Sequence, residues 1–444
     1  MRDALTRIGG QDGAKLLGIT GAPTTEHYRN KAQYPVGRDK EGSIVTGFYR
    51  PRSHDIVPVE KCLIQSETAD KIAAVVREWM TEFSVMPYDY EKKRGTIRHI
   101  YVRVGEKSGE SQLTLISATK KMPKLDVLVE RLRAAAPSLT GILLNHNQRD
   151  DNVILGNRTD VLWGEPMLED RLCGHTFLLS PEAFYQVNHA QAERLYACAV
   201  DYAGLTGEET VLDLYCGAGT ITLALAEHAK TAIGVEIVPE AIENAKRNAL
   251  RNGMENTEFF CADAGQAAQR LAKRGIDVLV VDPPRKGLDA TARDAILKMQ
   301  PPKVVYVSCD PATLARDVAE LCGAGYTLEK AQAFDLFPRT FHVETVVLLS
   351  KLNTKQHIEV ELNLDELDLT SAESKATYDE IKAYVLEKHG LKVSSLYISQ
   401  VKRKCGLDVG QNYNLSKKED AKVPQCPPEK EAAIMDALKH FQMI

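Results

Sequence analysis

The rhythm of hydrophobic and polar positions changes twice along the chain. Over the first 175 residues two periods mix. Alternating stretches at Ser43–Tyr49, Ile97–Val104 and Gln112–Ser117 predict strands, while apolar positions recur at helical spacing over Glu67–Phe83 and near Lys124–Ala135. From about residue 176 short apolar runs take over, at Thr210–Leu214, Thr231–Val235, Val278–Val281 and Lys303–Val307. Helical patterns follow most of them, among them Pro239–Asn252 and Pro311–Leu321. Strand–helix alternation of this kind predicts an α/β class with an open, doubly wound parallel sheet. Its ligand crevice lies at the carboxyl ends of the strands. Past residue 352 an acidic, alternating stretch, Thr354–Thr370, leads into two short helices, Thr377–Lys388 and Ser395–Lys404. Ser394 or Ser395 is placed to cap the second helix and Gly406 to end it. Three regions are therefore expected: α+β over 1–175, Rossmann-like α/β over 176–352, and a mostly helical extension over 353–444. The helix–turn–helix spacing and the Lys402-Arg403-Lys404 cluster suit nucleic acid, and equally a small appendage with a solvated basic end.

Composition narrows the setting. The chain has 444 residues, 44% hydrophobic and 26% charged, an ordinary globular mixture. It has no run of eighteen apolar residues for a membrane span, and MRDALTRIGG carries no apolar secretion core. Nine cysteines without CxxC pairs favour a reducing cytoplasm over a disulfide framework, and a monomer is expected there. Net charge is −5, unevenly spread: residues 1–150 hold 24 Lys+Arg against 18 Asp+Glu, and residues 151–350 hold 18 against 28. A basic front on an acidic second half is compatible with RNA held mainly by the first domain. Basic and aromatic residues interleave in His27-Tyr28-Arg29-Asn30-Lys31 and Phe48-Tyr49-Arg50-Pro51-Arg52, as suits phosphate contacts and base stacking, or a solvated strand edge.

Candidate chemistry collects at the strand ends. Val211–Tyr215 runs straight into Cys216-Gly217-Ala218-Gly219-Thr220 and a helical pattern over Ile221–Glu227. A glycine turn there lets the backbone approach a ligand with free N–H groups. The third glycine of a dinucleotide fingerprint is missing, which lowers that reading. Asp213, Glu236, Asp263 and Asp282 sit at or near the ends of four successive strands. Glu236 is placed for ribose hydroxyls and Asp263 for an adenine amino group. So many carboxylates repel a phosphate-bearing cofactor and favour a cationic one, which points to S-adenosylmethionine.

Cys309, in Ser308-Cys309-Asp310-Pro311, lies between a strand's carboxyl end and a helix starting near Pro311. The helix dipole there is expected to lower its thiol pKa. A small cysteine closing a strand is the competing reading, and the crevice-facing position favours reactivity. Glu344, in His342-Val343-Glu344, opens the last strand and is either a general base or a surface carboxylate. One thiolate and one base, with no metal, suffice to methylate uracil C5: addition at C6 makes C5 nucleophilic, and the base then removes the C5 proton.

With those residues in view, FYQVN (Phe184–Asn188), DLYCGAGT (Asp213–Thr220), DPPRKG (Asp282–Gly287), SCDP (Ser308–Pro311) and HVET (His342–Thr345) occur in one order. As a set, over roughly residues 20–350, they resemble the bacterial RNA uracil-5-methyltransferases, in particular the 23S ribosomal RNA branch. The resemblance implies a class I methyltransferase domain, Cys309 as nucleophile and Glu344 as base. It also implies that Gln186, Tyr215, Glu236, Asp263 and Asp282 surround the cofactor and target base. The front end departs from that pattern. Members of the branch usually begin with a small RNA-binding barrel and three iron–sulfur cysteines, whereas here only Cys62 resembles a cluster ligand, so no cluster is expected. The alternatives are an RNA cytosine-5 methyltransferase, which usually carries a second cysteine beside Asp282-Pro283-Pro284, and an amino-group methyltransferase, which wants an aromatic residue where Arg285 stands. A non-catalytic RNA-binding or ribosome-assembly protein keeping the fold is the third.

Overall fold

The computed structural model describes residues 1–151, 153–351, 378–405 and 425–441, in two compact units, Met1–Gln356 and His357–Ile444. The apolar runs of the second region form the expected sheet. In strand order it reads Leu16–Thr20, Tyr326–Phe334, Glu344–Lys351, Lys303–Ser308, Val278–Val281, Thr210–Leu214, Thr231–Glu236 and Thr257–Cys261. All strands are parallel except Glu344–Lys351, which runs antiparallel to both neighbours. The central strands feed two cores by alternation. Leu212, Leu214, Val304 and Tyr306 enter one, and Val211, Val278, Val280 and Val305 the other. Burial on both faces is why these strands read as continuous apolar runs.

The first strand of this sheet, Leu16–Thr20, comes from the front of the chain and pairs in parallel with Tyr326–Phe334. In the sequence, between this strand and the others of its sheet, comes a separate seven-stranded sheet in the order Ile56–Pro58, Ile44–Tyr49, Lys31–Arg38, Ile97–Val104, Ser111–Ser117, Leu139–His146 and Arg158–Gly164. Ser111–Ser117 and Leu139–His146 pair in parallel, and the Leu125–Ala135 helix connects them. One face of this sheet is buried beneath that helix and Glu67–Glu82, with Trp79 at its centre. The Trp79 indole N–H donates to the Pro123 carbonyl at 3.1 Å. Trp79→Ala is expected to cost about 3–5 kcal/mol, read from the midpoint shift in urea unfolding.

Among the described residues the second unit shows three helices, Tyr378–His389, Ser395–Lys404 and Pro428–His440, around Ile381, Val385, Ile398, Val401, Ile434 and Leu438. Ser394 supplies the cap, accepting from the Tyr397 N–H. The basic run is divided: Lys402 is buried with its ammonium over the Tyr378 ring, and Lys404 pairs with Glu431 at 2.7 Å. The Thr354–Thr370 stretch and Gly406 lie outside the described residues. Among the described residues no helix is long and apolar enough to cross a membrane. All nine cysteines are free thiols.

Candidate active site

At the carboxyl ends of the parallel strands a cavity of about 670 Å³ opens. Tyr215, Gly217, Glu236, Asp263, Asp282 and Cys309 reach it from five consecutive strand ends, and Gln186 and Glu344 close it from other segments. In the turn after Thr210–Leu214, the N–H groups of Tyr215 and Cys216 both donate to the Val235 carbonyl, which folds the chain back over the next strand. Tyr215 is held at φ 72°, a conformation a bulky residue rarely adopts. Gly217, at φ 55°, has open space where a Cβ would stand. Gly219 and Thr220 are not on the cavity wall. A Cβ on Gly219 would meet Ala245 and Leu223 at 3.2 Å, and the Thr220 hydroxyl lies 3.2 Å from that of Tyr196. They shape the turn from behind.

Each carboxylate has a distinct environment. Glu236 Oε1 accepts from the N–H groups of Ile237 and Val238 at 2.8 and 3.0 Å, while Oε2 accepts from Gly217 at 3.3 Å, which leaves capacity on Oε2. Asp263 caps the Ala264–Leu271 helix through Oδ1 alone, leaving Oδ2 for another donor. Asp282 is half-buried and borders the cavity. Protein surrounds it otherwise, and burial pushes its carboxyl up to about 7. Asp213 departs from the expected row of four. It is buried inside the sheet, bonded to the Thr222 hydroxyl and likewise pushed up to about 7, so three strand-end carboxylates face the cavity rather than four.

Cys309 and Glu344 come together through sheet register. Ser308 pairs with Thr345 at the end of the antiparallel ladder, so the next positions outward are 309 and 344. Glu344 is not a surface carboxylate: it is 4% exposed, and burial together with Asp282 raises its pKa well above the usual range. The Cys309 thiol differs from the expectation of a lowered pKa. Burial raises it, and the carboxylates of Glu344 and Asp282 add to the effect, with Arg285 acting in the opposite direction. The helix dipole is not free to oppose this, because Asp310 caps the Pro311–Gly323 helix and takes the Ala312 and Thr313 N–H groups at 2.9 Å. Alkylation of Cys309 by iodoacetamide, read by peptide mass spectrometry, is expected to rise about tenfold per pH unit through neutrality and into the alkaline range. Arg285→Met should slow it further at pH 8.

Other segments are tied to this wall. Asn30 donates to the Gln186 carbonyl at 2.9 Å, and Asn188 to that of Leu336 at 3.0 Å, which pins Phe184–Asn188 between two loops. The Gln186 carboxamide has no partner among the described residues and borders the cavity. The Asp282–Gly287 loop is anchored by buried Asp317, which accepts from Leu288 N–H at 2.9 Å and Tyr306 hydroxyl at 2.7 Å. Sequence reading missed Asp317, which carries no local motif. It also missed Phe184 and Phe337, two aromatic rings on the wall that sit inside or beside quoted motifs. Arg29 and Lys31, from the first basic–aromatic cluster, line the cavity as well, and burial with neighbouring Arg103 and Arg29 lowers Lys31 to about 8. Cys62 lies apart from that wall, half-buried, its N–H donating to Asp70 at 2.9 Å.

A family model described as tRNA (uracil-5-)-methyltransferase matches residues 158–352. Curated proteins described as uncharacterized RNA methyltransferases are similar over most of their length. One from Clostridium tetani is 43% identical over 358 residues, covering 80% of this chain and 77% of the relative. Another from Halalkalibacterium halodurans is 45% identical over 360 residues, covering 80% and 77%. Among solved structures, the Pyrococcus abyssi tRNA (uracil-54, C5)-methyltransferase, in complex with S-adenosyl-L-homocysteine, superposes with a TM-score of 0.65 at 27% identity, covering 78% of this chain and 81% of that one.

Proposed function

Because the chain belongs to the tRNA (uracil-5-)-methyltransferase family of RNA methyltransferases, we propose that it methylates carbon 5 of a uridine, with Cys309 as nucleophile and Glu344 as base. S-adenosylmethionine supplies a methyl group on a positively charged sulfur. The donor set fits it: Glu236 and Asp263 each keep an acceptor oxygen, Gly217 leaves room for close approach, and Asp282 is a buried carboxyl that a nearby cation would keep ionised. Cys309 Sγ adds to C6 of the uracil, and the electron pair of the C5–C6 bond moves to make C5 nucleophilic. Once C5 carries the methyl group, Glu344 takes the C5 proton, the double bond re-forms and the thiolate leaves. Gln186 and the rings of Phe184 and Phe337 line the space for an extruded base, and Arg29, Lys31 and Arg285 give that wall the positive charge RNA phosphates need.

The observation that carries this reading is the Ser308–Thr345 register, which makes Cys309 and Glu344 neighbours on one cavity wall. The five-motif resemblance favours 23S ribosomal RNA as substrate, and free thiols favour the cytoplasm. We take the active form to be a monomer, since one chain brings all these groups to one cavity. Mapping 5-methyluridine in ribosomal and transfer RNA from cells with and without the protein tests it. One or more 23S positions should lose the mark. A loss confined to transfer RNA overturns the ribosomal assignment, and no loss in either overturns the uridine chemistry.

A further inference from the structure

A second cavity, of about 570 Å³, adjoins the first and lies on the open face of the seven-stranded sheet. Along Lys31–Arg38 the side chains alternate. Ala32, Tyr34 and Val36 enter the core, which leaves Lys31, Gln33 and Pro35 on the other face. Lys31 and Gln33 border the first cavity, and Gln33 and Pro35 the second. At about 3.3 Å per residue, Lys31 and Pro35 are roughly 13 Å apart, a span that a few nucleotides of one strand bridge.

The lining of this second space is that of a base pocket. The rings of His54 and Tyr90 are stacked, 4.5 Å apart and 9° from parallel, and His54 is exposed. Arg98 fixes the platform from behind: its guanidinium lies 4.8 and 4.9 Å from the Tyr88 and Tyr90 rings and donates to the carbonyls of Asn147 and Arg149. Tyr49 meets His54 and His99 edge-on, at 5.3 and 6.1 Å. His99 is 5% exposed, and its Nδ1 is buried without a hydrogen-bond partner among the described residues. Burial, with Arg98 and His54 nearby, lowers its pKa to about 4, so the ring is neutral. An unpaired buried nitrogen is costly unless a ligand meets it. A neutral ring nitrogen beside a stacking platform matches the edge and face of a nucleobase. Arg50 and Arg52, from the second basic–aromatic cluster, stand at the rim where phosphates would pass.

We propose that this cavity receives a second nucleobase of the same RNA strand, stacked on His54 and Tyr90 and read at its edge by His99, while the target uridine occupies the first. The inference rests on the RNA substrate proposed above. Ultraviolet irradiation of the protein with total RNA from cells lacking it, followed by peptide mass spectrometry, is expected to leave nucleotide adducts on peptides holding residues 49–54 and 88–90. His99→Leu, and separately the His54→Ala/Tyr90→Ala pair, should raise the KM for RNA about tenfold or more. The effect should fall on KM rather than kcat, with affinity for S-adenosyl-L-homocysteine retained as proof of folding. Unchanged KM in both variants, or adducts confined to the first cavity, overturns the second pocket. Trapping on 5-fluorouridine-substituted RNA separates the two readings. A wild-type Cys309 adduct without cross-links at 49–54 and 88–90 overturns only this pocket, and no Cys309 adduct at all overturns the uridine chemistry on which it rests.

Discussion

Cys309→Ala is expected to abolish methyl transfer, lowering turnover by about 10⁴-fold or more, because the thiolate alone makes C5 reactive. The variant should still bind cofactor and RNA, since neither the Glu236–Asp263 side of the cavity nor its basic wall depends on the sulfur. With 5-fluorouridine-substituted RNA the wild type should form a denaturant-resistant complex, because fluorine at C5 cannot be removed as a proton. The alanine variant should form none. Turnover within tenfold of wild type would remove Cys309 from the mechanism.

Glu344→Gln separates the second half of the reaction from the first. The amide cannot take the C5 proton, so turnover should fall about 10²- to 10⁴-fold. Sulfur addition and methyl transfer come earlier and should survive. The covalent complex should therefore accumulate on ordinary uridine RNA, already methylated, and be visible as a shifted band in a denaturing gel. The two variants are opposite in this assay, one without adduct and one trapped in it. The elevated pKa of Glu344 suits the role, since a buried carboxylate that holds protons tightly is the better acceptor for one on carbon. Ionising a carboxyl buried there is expensive, Asp282 adds to that cost by like-charge repulsion, and Arg285 offsets part of it. If Glu344→Gln turned over normally with no adduct, another base would have to be sought on the same wall.

The parallel sheet was readable because its strands are buried on both faces, so Val278–Val281 and Lys303–Ser308 announce themselves as unbroken apolar runs. Strand ends in such a sheet converge on one edge, and Glu236, Asp263, Asp282 and Cys309 could be placed together from sequence alone. What failed to show was pairing across distance. Glu344 looks superficial locally, since exposed or half-buried residues precede it, and its burial depends on lying beside position 309 in a register no short window contains. Asp213 misled for the reverse reason: its place just before a glycine turn suggests a ligand, whereas Thr222 claims it from the following helix. The expected thiol shift took account of the dipole and omitted the capping aspartate and two carboxylates that only the fold brings near. Two basic–aromatic clusters were legible as such, while their division between two adjoining cavities came from strand alternation and a distant His99.

The edge strand Leu16–Thr20 has its hydrogen-bonding partner at Ala331–Phe334, synthesised more than three hundred residues later. At bacterial or eukaryotic synthesis rates of roughly 5–20 residues per second, that strand waits on the order of 15 to 60 seconds with its backbone unpaired. The Lys31–Gly164 sheet, whose ladders close among nearer neighbours, can complete itself in the interval. Maturation of the catalytic half is thus held until the last strands emerge. Nascent chains stalled near residue 300 should be cut by protease around residues 16–20 while the 31–164 segment resists.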